Sequence, residues 1–161
     1  EKQIPQALVL MDKNRFSYVN SRGEIFKEAD ETDKLDFPVI TGISTQNTEA
    51  MEQLQNVTSI MAVLKREKGQ WSLNNLSEIH VNKNGGISLY FSGLKAEIRL
   101  IHNYPGNAGV REPARKDLIK KFAGLKKVTR HLSRSGGIHR VTSIDLDSTD
   151  GVVVSFKKAE G

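Results

Sequence analysis

The sequence predicts an α+β fold: a mainly antiparallel β-sheet with two packed amphipathic helices and an open C-terminal edge strand. Short segments along most of the chain alternate apolar and polar residues, the period of half-buried strands. Two longer segments, 45–69 and 114–134, instead carry apolar residues at spacings of three and four, which indicates helices with one buried face. The last alternating segment, 152–156, has no later strand with which to pair.

Length and composition limit the classes of protein to which the chain can belong. The chain has 161 residues, enough for one domain, and 37% of them are hydrophobic, enough for a core. The absence of cysteine excludes disulfides and a thiolate nucleophile, although it does not fix the compartment. No apolar run has the length of a membrane span and no signal peptide opens the chain, so we expect an excised domain.

The first third of the chain predicts three strands, a short extended segment and a helix. ALVL, FSYV and IF, separated by DKN and SRG turns, form a small antiparallel meander. DFPVITG is extended because Pro38 disfavours a helical residue before it. Asn47 or Thr48 is expected to cap the helix and Gly69 to close it. The helix buries one apolar face: Met51, Leu54, Val57, Ile60, Met61 and Leu64.

The rest of the chain predicts three strands, a loop, a helix and a final hairpin. The strands are marked by Ile79 and Val81, by the ISLYF segment and by the AEIRL segment, and 103–113 is a loop. The second helix is expected to keep its lysines outside and to end at SGG. Its buried positions are Leu118, Phe122, Leu125, Val128 or Thr129, and Leu132. The hairpin faces are Ile138, Thr142, Ile144 and Leu146 on one strand, and Val152, Val154 and Phe156 on the other.

The stretch IDLDSTDGVVVSFKK, residues 144–158, raises the question of a metal site because three aspartates precede a glycine. A calcium loop that began at Asp145 would need glycine at its sixth position and glutamate at its twelfth, but these are Asp150 and Phe156. Asp and Ser side chains instead bond to nearby main-chain amides in turns, and Gly151 accepts a positive φ. We therefore predict a hairpin turn and no metal.

Positive charge is concentrated in the second helix. The formal net charge is +5, while 111–134 alone holds nine basic residues against two acidic ones. Such a helix either faces phosphates or anionic lipid head groups or is a solvated face. It lacks the interleaved aromatic residues of single-strand binders and a helix-turn-helix partner, so nucleic-acid binding is an alternative and not the expectation.

Nothing in the sequence indicates catalysis. His80, His102, His131 and His139 are scattered over strand, loop and helix without a motif around any of them. No pair of histidines has ligand spacing with a third ligand nearby. We predict no catalytic residue, no cofactor and no metal site.

Four strings, in this order along the chain, resemble the cell division protein FtsQ/DivIB family, specifically its large extracytoplasmic β domain. EKQIPQALVL is similar to the junction with the preceding POTRA domain, and FSYVNSRGEIF to a family strand, turn and strand. DFPVITG resembles a Leu-Pro-x-Leu-x-Gly stretch, and IDLDSTDGVVVSF the closing Val-Asp-Leu-Arg, turn, glycine and strand. Asn20 and Asp147 depart from the Asp and Arg that the family favours.

The resemblance implies a non-catalytic scaffold of bacterial cell division. Residues 1–6 would end a POTRA-type domain and residues 7–161 would form the β domain, located in the periplasm at the division septum. The whole protein would be anchored in the inner membrane by a single span. Its partners would be FtsB-like and FtsL-like divisome proteins, in a complex that helps control septal peptidoglycan synthesis.

The resemblance also implies that the last strand receives a partner strand. From the residues alone, a strand edge without charge or proline is either a template for β-strand addition or is covered by a neighbouring loop or a further segment, and the resemblance favours strand addition. Phe156 stands where the family has an aromatic anchor, and a proline at Val153 is expected to remove an amide donor and to block pairing. The predicted partner-binding residues are Ser148, Asp150, Gly151, Val152, Val153, Val154, Ser155, Phe156 and Lys157.

Overall fold

One nine-stranded sheet organises the described part of the chain. The computed structural model describes residues 3–44, 46, 48–101, 112–149 and 151–158. Within them, the strand order is β3-β2-β1-β4-β5-β6-β7-β8-β9. The helices are α1 (Ala50–Leu64) and α2 (Glu112–Ser135). The strands are β1 (Ala7–Leu10), β2 (Phe16–Val19), β3 (Ile25–Glu28), β4 (Val39–Thr41), β5 (Leu76–Val81), β6 (Ile87–Phe91), β7 (Glu97–Leu100), β8 (Val141–Ser148) and β9 (Gly151–Phe156).

Strand directions follow from the connections. Five neighbouring pairs are antiparallel, whereas β1 with β4, β4 with β5 and β7 with β8 are parallel. Helix α1 joins β4 to β5 and α2 joins β7 to β8, and such crossovers return the chain to the same end of a sheet. The predicted α+β class and mainly antiparallel sheet are confirmed.

The core lies between the two helices and one face of the sheet. Strand register places apolar residues of seven neighbouring strands in one row: Val9, Ile40, Ile79, Leu89, Ile98, Ile144 and Val154. Against this face α2 buries Leu118, Phe122 and Leu125, as the sequence predicts. Burial of side chains of this size, at about 1.5–3 kcal/mol each, is the main stabilising contribution.

Helix α1 differs from its prediction at both ends. It begins at Ala50 with Glu49 at the N-cap position, so the cap predicted at Thr48 is wrong, and Asn47 lies outside the described residues. Met51 is 64% exposed because it lies about 120° around the helix from Val57, where Ala50 takes the buried place. The helix ends at Leu64, before the predicted Gly69.

Helix α2 begins at Glu112, so Pro113 belongs to its first turn, where proline is tolerated. The rest of the predicted loop 103–113 lies outside the described residues, apart from Glu112. The helix ends at Ser135, and Gly136 takes a left-handed conformation with φ of 79°, as SGG predicts.

A β-bulge changes the predicted face of β8. The register shifts between Val141 and Ser143, so the extra residue Thr142 is exposed and Val141 faces the core in its place. Ile138 precedes the strand in a short 3-10 helix, Gly137–Arg140. The assignment of Ile138 and Thr142 to one strand face with Ile144 is therefore wrong.

Gly124 marks a close approach between α2 and the last strand. A glycine inside a helix costs about 1 kcal/mol relative to alanine. A Cβ at Gly124 would lie 3.1 Å from Val152 Cγ2, which is tighter than ordinary contact.

We predict that Gly124→Ala stabilises the domain more in a Val152→Ala background than in the wild type, with a coupling of about 0.5 kcal/mol or more. Urea unfolding of the four proteins measures it, and additive free energies would contradict the close approach.

Candidate functional site

The predicted partner-binding residues meet in one hairpin at the end of the sheet. Ser148 is the last residue of β8, β9 spans Gly151–Phe156, and Lys157 follows it directly. Asp150 lies outside the described residues. Among the described residues β9 pairs with β8 alone, so one side of β9 is an open sheet edge.

The hairpin turn forms as the acidic sequence predicts. Ser148 pairs with Gly151, whose φ of +100° lies in the region that favours glycine. The Asp147 N–H donates to Asp145 Oδ1 over 2.8 Å within β8, where the register shifts just before the turn. Among the described residues, no group of three His, Cys, Asp or Glu side chains is placed to hold a metal ion.

Two hydrogen bonds define which main-chain groups of β9 face outward. The Lys157 N–H donates to the Arg140 carbonyl over 2.8 Å, and the Ser155 carbonyl accepts from the Thr142 hydroxyl over 3.2 Å. Odd-numbered residues therefore face β8. Because main-chain groups alternate sides along a strand, and both bulges of this ladder insert their extra residue in β8, the even-numbered residues face the open edge. These outward residues are Val152, Val154 and Phe156.

This alternation corrects the prediction at Val153. Val153 is paired with Asp145 and, as an odd-numbered residue, directs its N–H toward β8. A proline at Val153 would thus break the inner ladder and leave the donors of the open edge in place. The sequence could not show this, because the direction depends on the register between the two strands.

The side chains of β9 divide between the two faces of the sheet. Val152 and Val154 are half-buried against the core on the helix face. Phe156, also on that face, is 46% exposed and lies near Gly137, where a Cβ would be 3.8 Å from its ring. Val153 is 44% exposed on the opposite face. The edge therefore carries one exposed aromatic side chain beside its outward main-chain groups.

The two edges of the sheet differ in how they are protected. At the β3 edge, Lys27 and Glu28 are charged and exposed, and Arg15 Nη1 lies 3.6 Å from Glu28 Oε1. A bulge also interrupts the pairing of β3 with β2. Charges, short length and bulges are the usual protections of an edge strand. Strand β9 is six residues long and carries no charge or proline, so it is the less protected edge.

A partly buried ion pair joins the end of β8 to α2. Lys121 Nζ lies 2.5 Å from Asp147 Oδ1 and 3.0 Å from Asp117 Oδ2, and it donates to the Ile101 carbonyl over 3.0 Å. Asp147 Oδ2 also accepts a hydrogen bond from the Ile101 N–H. We name this group, Lys121, Asp147, Ile101 and Asp117, the α2 clasp. It joins α2, the chain just after β7, and β8.

The α2 clasp corrects the expectation that all lysines of α2 point outward. The Lys121 side chain is only 15% exposed. Burial lowers its pKa, but hydrogen bonds and ion pairs with Asp147 and Asp117 outweigh burial and raise the pKa above its ordinary value. The stabilising contribution of Lys121 is therefore complete at neutral pH and is lost only as the pH rises through the raised pKa.

The histidines of the described residues do not form a site. Thr41 Oγ1 lies 2.8 Å from His80 Nδ1 and donates to Glu78 Oε2 over 2.9 Å, on the polar face of the sheet. His131 and His139 are exposed elsewhere, and His102 lies outside the described residues. Neither helix of the described chain has the length and apolar character that a membrane crossing requires.

An α+β domain with one helix-covered sheet face and one open edge has the geometry of a domain that can accept a further strand. Residues 7–147 match the family model described as cell division protein FtsQ/DivIB, C-terminal. The chain therefore belongs to the FtsQ/DivIB family of cell division proteins. The matched residues end at Asp147, just before β9.

Curated relatives support the same family. The chain is 27% identical over 154 residues to cell division protein FtsQ of Geotalea daltonii, covering 92% of this chain and 50% of that protein. It is 34% identical over 149 residues to FtsQ of Anaeromyxobacter sp. strain K, covering 88% and 44%. FtsQ of Geobacter sp. strain M21 is 29% identical over 142 residues, covering 85% and 46%. The chain spans about half the length of these relatives.

We predict that Lys121→Met destabilises the domain by on the order of 2 kcal/mol, because it leaves Asp147, a carboxylate 17% exposed, without its cation. The exposed Lys127→Met is the matched control and should stay within about 0.5 kcal/mol of wild type. Replacing both Lys121 and Asp147 should cost less than the sum of the single changes. Denaturant unfolding at neutral pH measures all four variants, and equal effects of the two lysine variants would contradict the clasp.

Proposed function

We propose that this chain is the periplasmic β domain of a single-span inner-membrane protein that acts as a non-catalytic scaffold at the division septum. In this proposal residues 1–6 end a POTRA-type domain and residues 7–161 form the β domain. The partners are FtsB-like and FtsL-like proteins, as the family resemblance implies. Family membership supports the cell division role, and the open β9 edge supports partner binding.

The proposed mechanism is addition of a partner strand to β9. The outward N–H and C=O groups of Val152, Val154 and Phe156 offer three donors and three acceptors to an extended segment. Net contributions of about 0.5–1.5 kcal/mol per hydrogen bond make this ladder a substantial part of the affinity. Lys157 donates its N–H to the Arg140 carbonyl, so pairing with β8 continues one residue beyond Phe156, and the charged Lys157 and Lys158 follow the open segment.

Specificity in this proposal comes from the side chains that flank the ladder. The exposed ring of Phe156 is an aromatic anchor for a partner pocket, since buried aromatics dominate interface energetics. Ser148 and Gly151 lie at the turn end of the hairpin, and the resemblance implies further contacts of these two residues and of Asp150. The exposed side chains of Val153 and Ser155 would meet partner residues on the opposite face of the extended sheet.

The single observation that carries the proposal is the direction of the main-chain groups in β9, and two proline variants test it. Val154→Pro removes an outward N–H and leaves the inner ladder intact, as proline at an edge position is tolerated. We predict that it folds and loses at least about tenfold in affinity for the extracytoplasmic fragment of the FtsB-like protein from the same organism. Isothermal titration calorimetry measures the affinity.

Val153→Pro is the matched control for this experiment. It removes a donor to β8, so we expect it to lower the free energy of unfolding by about 1–3 kcal/mol. Val154→Pro keeps that ladder and should lower the free energy of unfolding less, through the lost contact of its half-buried side chain with the core. Circular dichroism verifies folding of both variants. Unchanged affinity of folded Val154→Pro would refute strand addition at β9.

We further predict that Phe156→Ala weakens binding of the same fragment by about 2 kcal/mol, roughly thirtyfold, while the domain stays folded because the ring is half exposed. Val153→Ala truncates a side chain of similar exposure on the other face and should cost less than about fivefold. Titration of both variants distinguishes the contribution of the Phe156 ring to affinity from that of another exposed side chain of β9. An effect of Phe156→Ala no larger than that of Val153→Ala would remove Phe156 from the site.

A further inference from the structure

Helix α2 carries a row of cations on the side that faces away from the sheet. The apolar residues of α2 point to the core, and the cations lie on the opposite side of the helix. We name this row the basic stripe. It consists of exposed residues at spacings of three, four and seven: Lys116, Lys120, Lys127, Arg130 and Arg134.

Two other lysines of α2 form ion pairs within the fold and do not belong to the basic stripe. Lys121 belongs to the α2 clasp, and Lys126 Nζ lies 2.8 Å from Glu67 Oε2. Asp117, an acidic residue of α2, is engaged by Lys121. None of the five stripe residues forms an ion pair with any part of the chain that the structure describes. Ion pairs within the described residues therefore do not account for the stripe.

The shape of the stripe favours a broad anionic surface as its partner. At 1.5 Å per residue, positions 116–134 extend over about 27 Å along one uninterrupted helix. Apart from Ile119, 44% exposed beside the stripe, and Ala123 within it, this side offers few apolar contacts, whereas protein interfaces have an apolar core. It has no Phe, Tyr or Trp side chain on which a base could stack, and the exposed imidazole of His131 lies beside it.

We propose that the basic stripe docks the domain on a bilayer rich in anionic lipid, with Lys and Arg side chains contacting lipid phosphates. Several cations in one plane attract such a surface without a shaped pocket, and the attraction decreases with salt. The stripe faces away from the sheet, so a strand on β9 leaves it accessible. The proposal rests on the membrane setting given under the proposed function, but it does not depend on strand addition.

Vesicle co-sedimentation tests the proposal with two triple variants of equal charge. Lys116→Gln, Lys120→Gln and Lys127→Gln together remove the three lysines of the stripe and leave its two arginines. Lys34→Gln, Lys83→Gln and Lys95→Gln remove three exposed lysines elsewhere. Vesicles of equimolar phosphatidylglycerol and phosphatidylcholine are compared with vesicles of phosphatidylcholine alone, at low and physiological salt.

We expect the wild-type domain to bind the anionic vesicles at low salt, and the stripe variant to bind on the order of 100-fold more weakly, about fivefold per cation. The scattered variant should lose far less, and neutral vesicles should bind none of the proteins. Equal losses in the two variants, or no wild-type binding, would overturn the proposal. So would tighter binding to duplex DNA than to the vesicles at physiological salt. Titration with the FtsB-like fragment is a separate readout, so failure of either proposal is recognised independently.

Discussion

The whole domain depends on packing one face of the sheet against two helices. The buried row from Val9 to Val154 crosses seven strands, and a slip of one residue in β5, β7 or β8 would turn their apolar side chains away from the helices. Strand β9, where Val153 would equally fill the row, takes its register from its pairing with β8 and from the turn at Gly151. Because register also fixes the direction of the main chain, this pairing decides that Val152 and Val154 present their hydrogen-bonding groups at the open edge.

The spacing of apolar residues predicted the helices and strands well, because each spacing shows which side of the helix or strand is buried. The spacing of Leu118, Phe122 and Leu125 located the buried side of α2, and the acidic turn before Gly151 located the final hairpin. These are local signals: a helix face and a turn are both encoded within a few residues. The α+β class and the position of the candidate edge followed from them.

The features that sequence did not predict are contacts between segments far apart in the chain. Lys121 looked like its exposed neighbours, and only the approach of Asp147 and Ile101 turns it inward. The bulge that exposes Thr142 and the inward N–H of Val153 both depend on pairing between strands. Periodicity cannot supply such information, since it describes one segment at a time.

An edge strand that accepts a partner must remain attached to its own sheet while its outer side stays open, and the structure meets both needs at β9. The α2 clasp holds the chain at Asp147 before the turn, and the Lys157 to Arg140 hydrogen bond holds it after Phe156. Among the described residues between these anchors, Val152, Val154 and Phe156 point outward, and Lys157 and Lys158 follow at once. Charge beyond a short open segment limits uncontrolled edge-to-edge association, since such association needs a long uncharged strand. In the proposed strand addition, the same brevity suits the edge to one short partner strand, and recognition would then depend on side chains such as Phe156 as much as on the ladder itself.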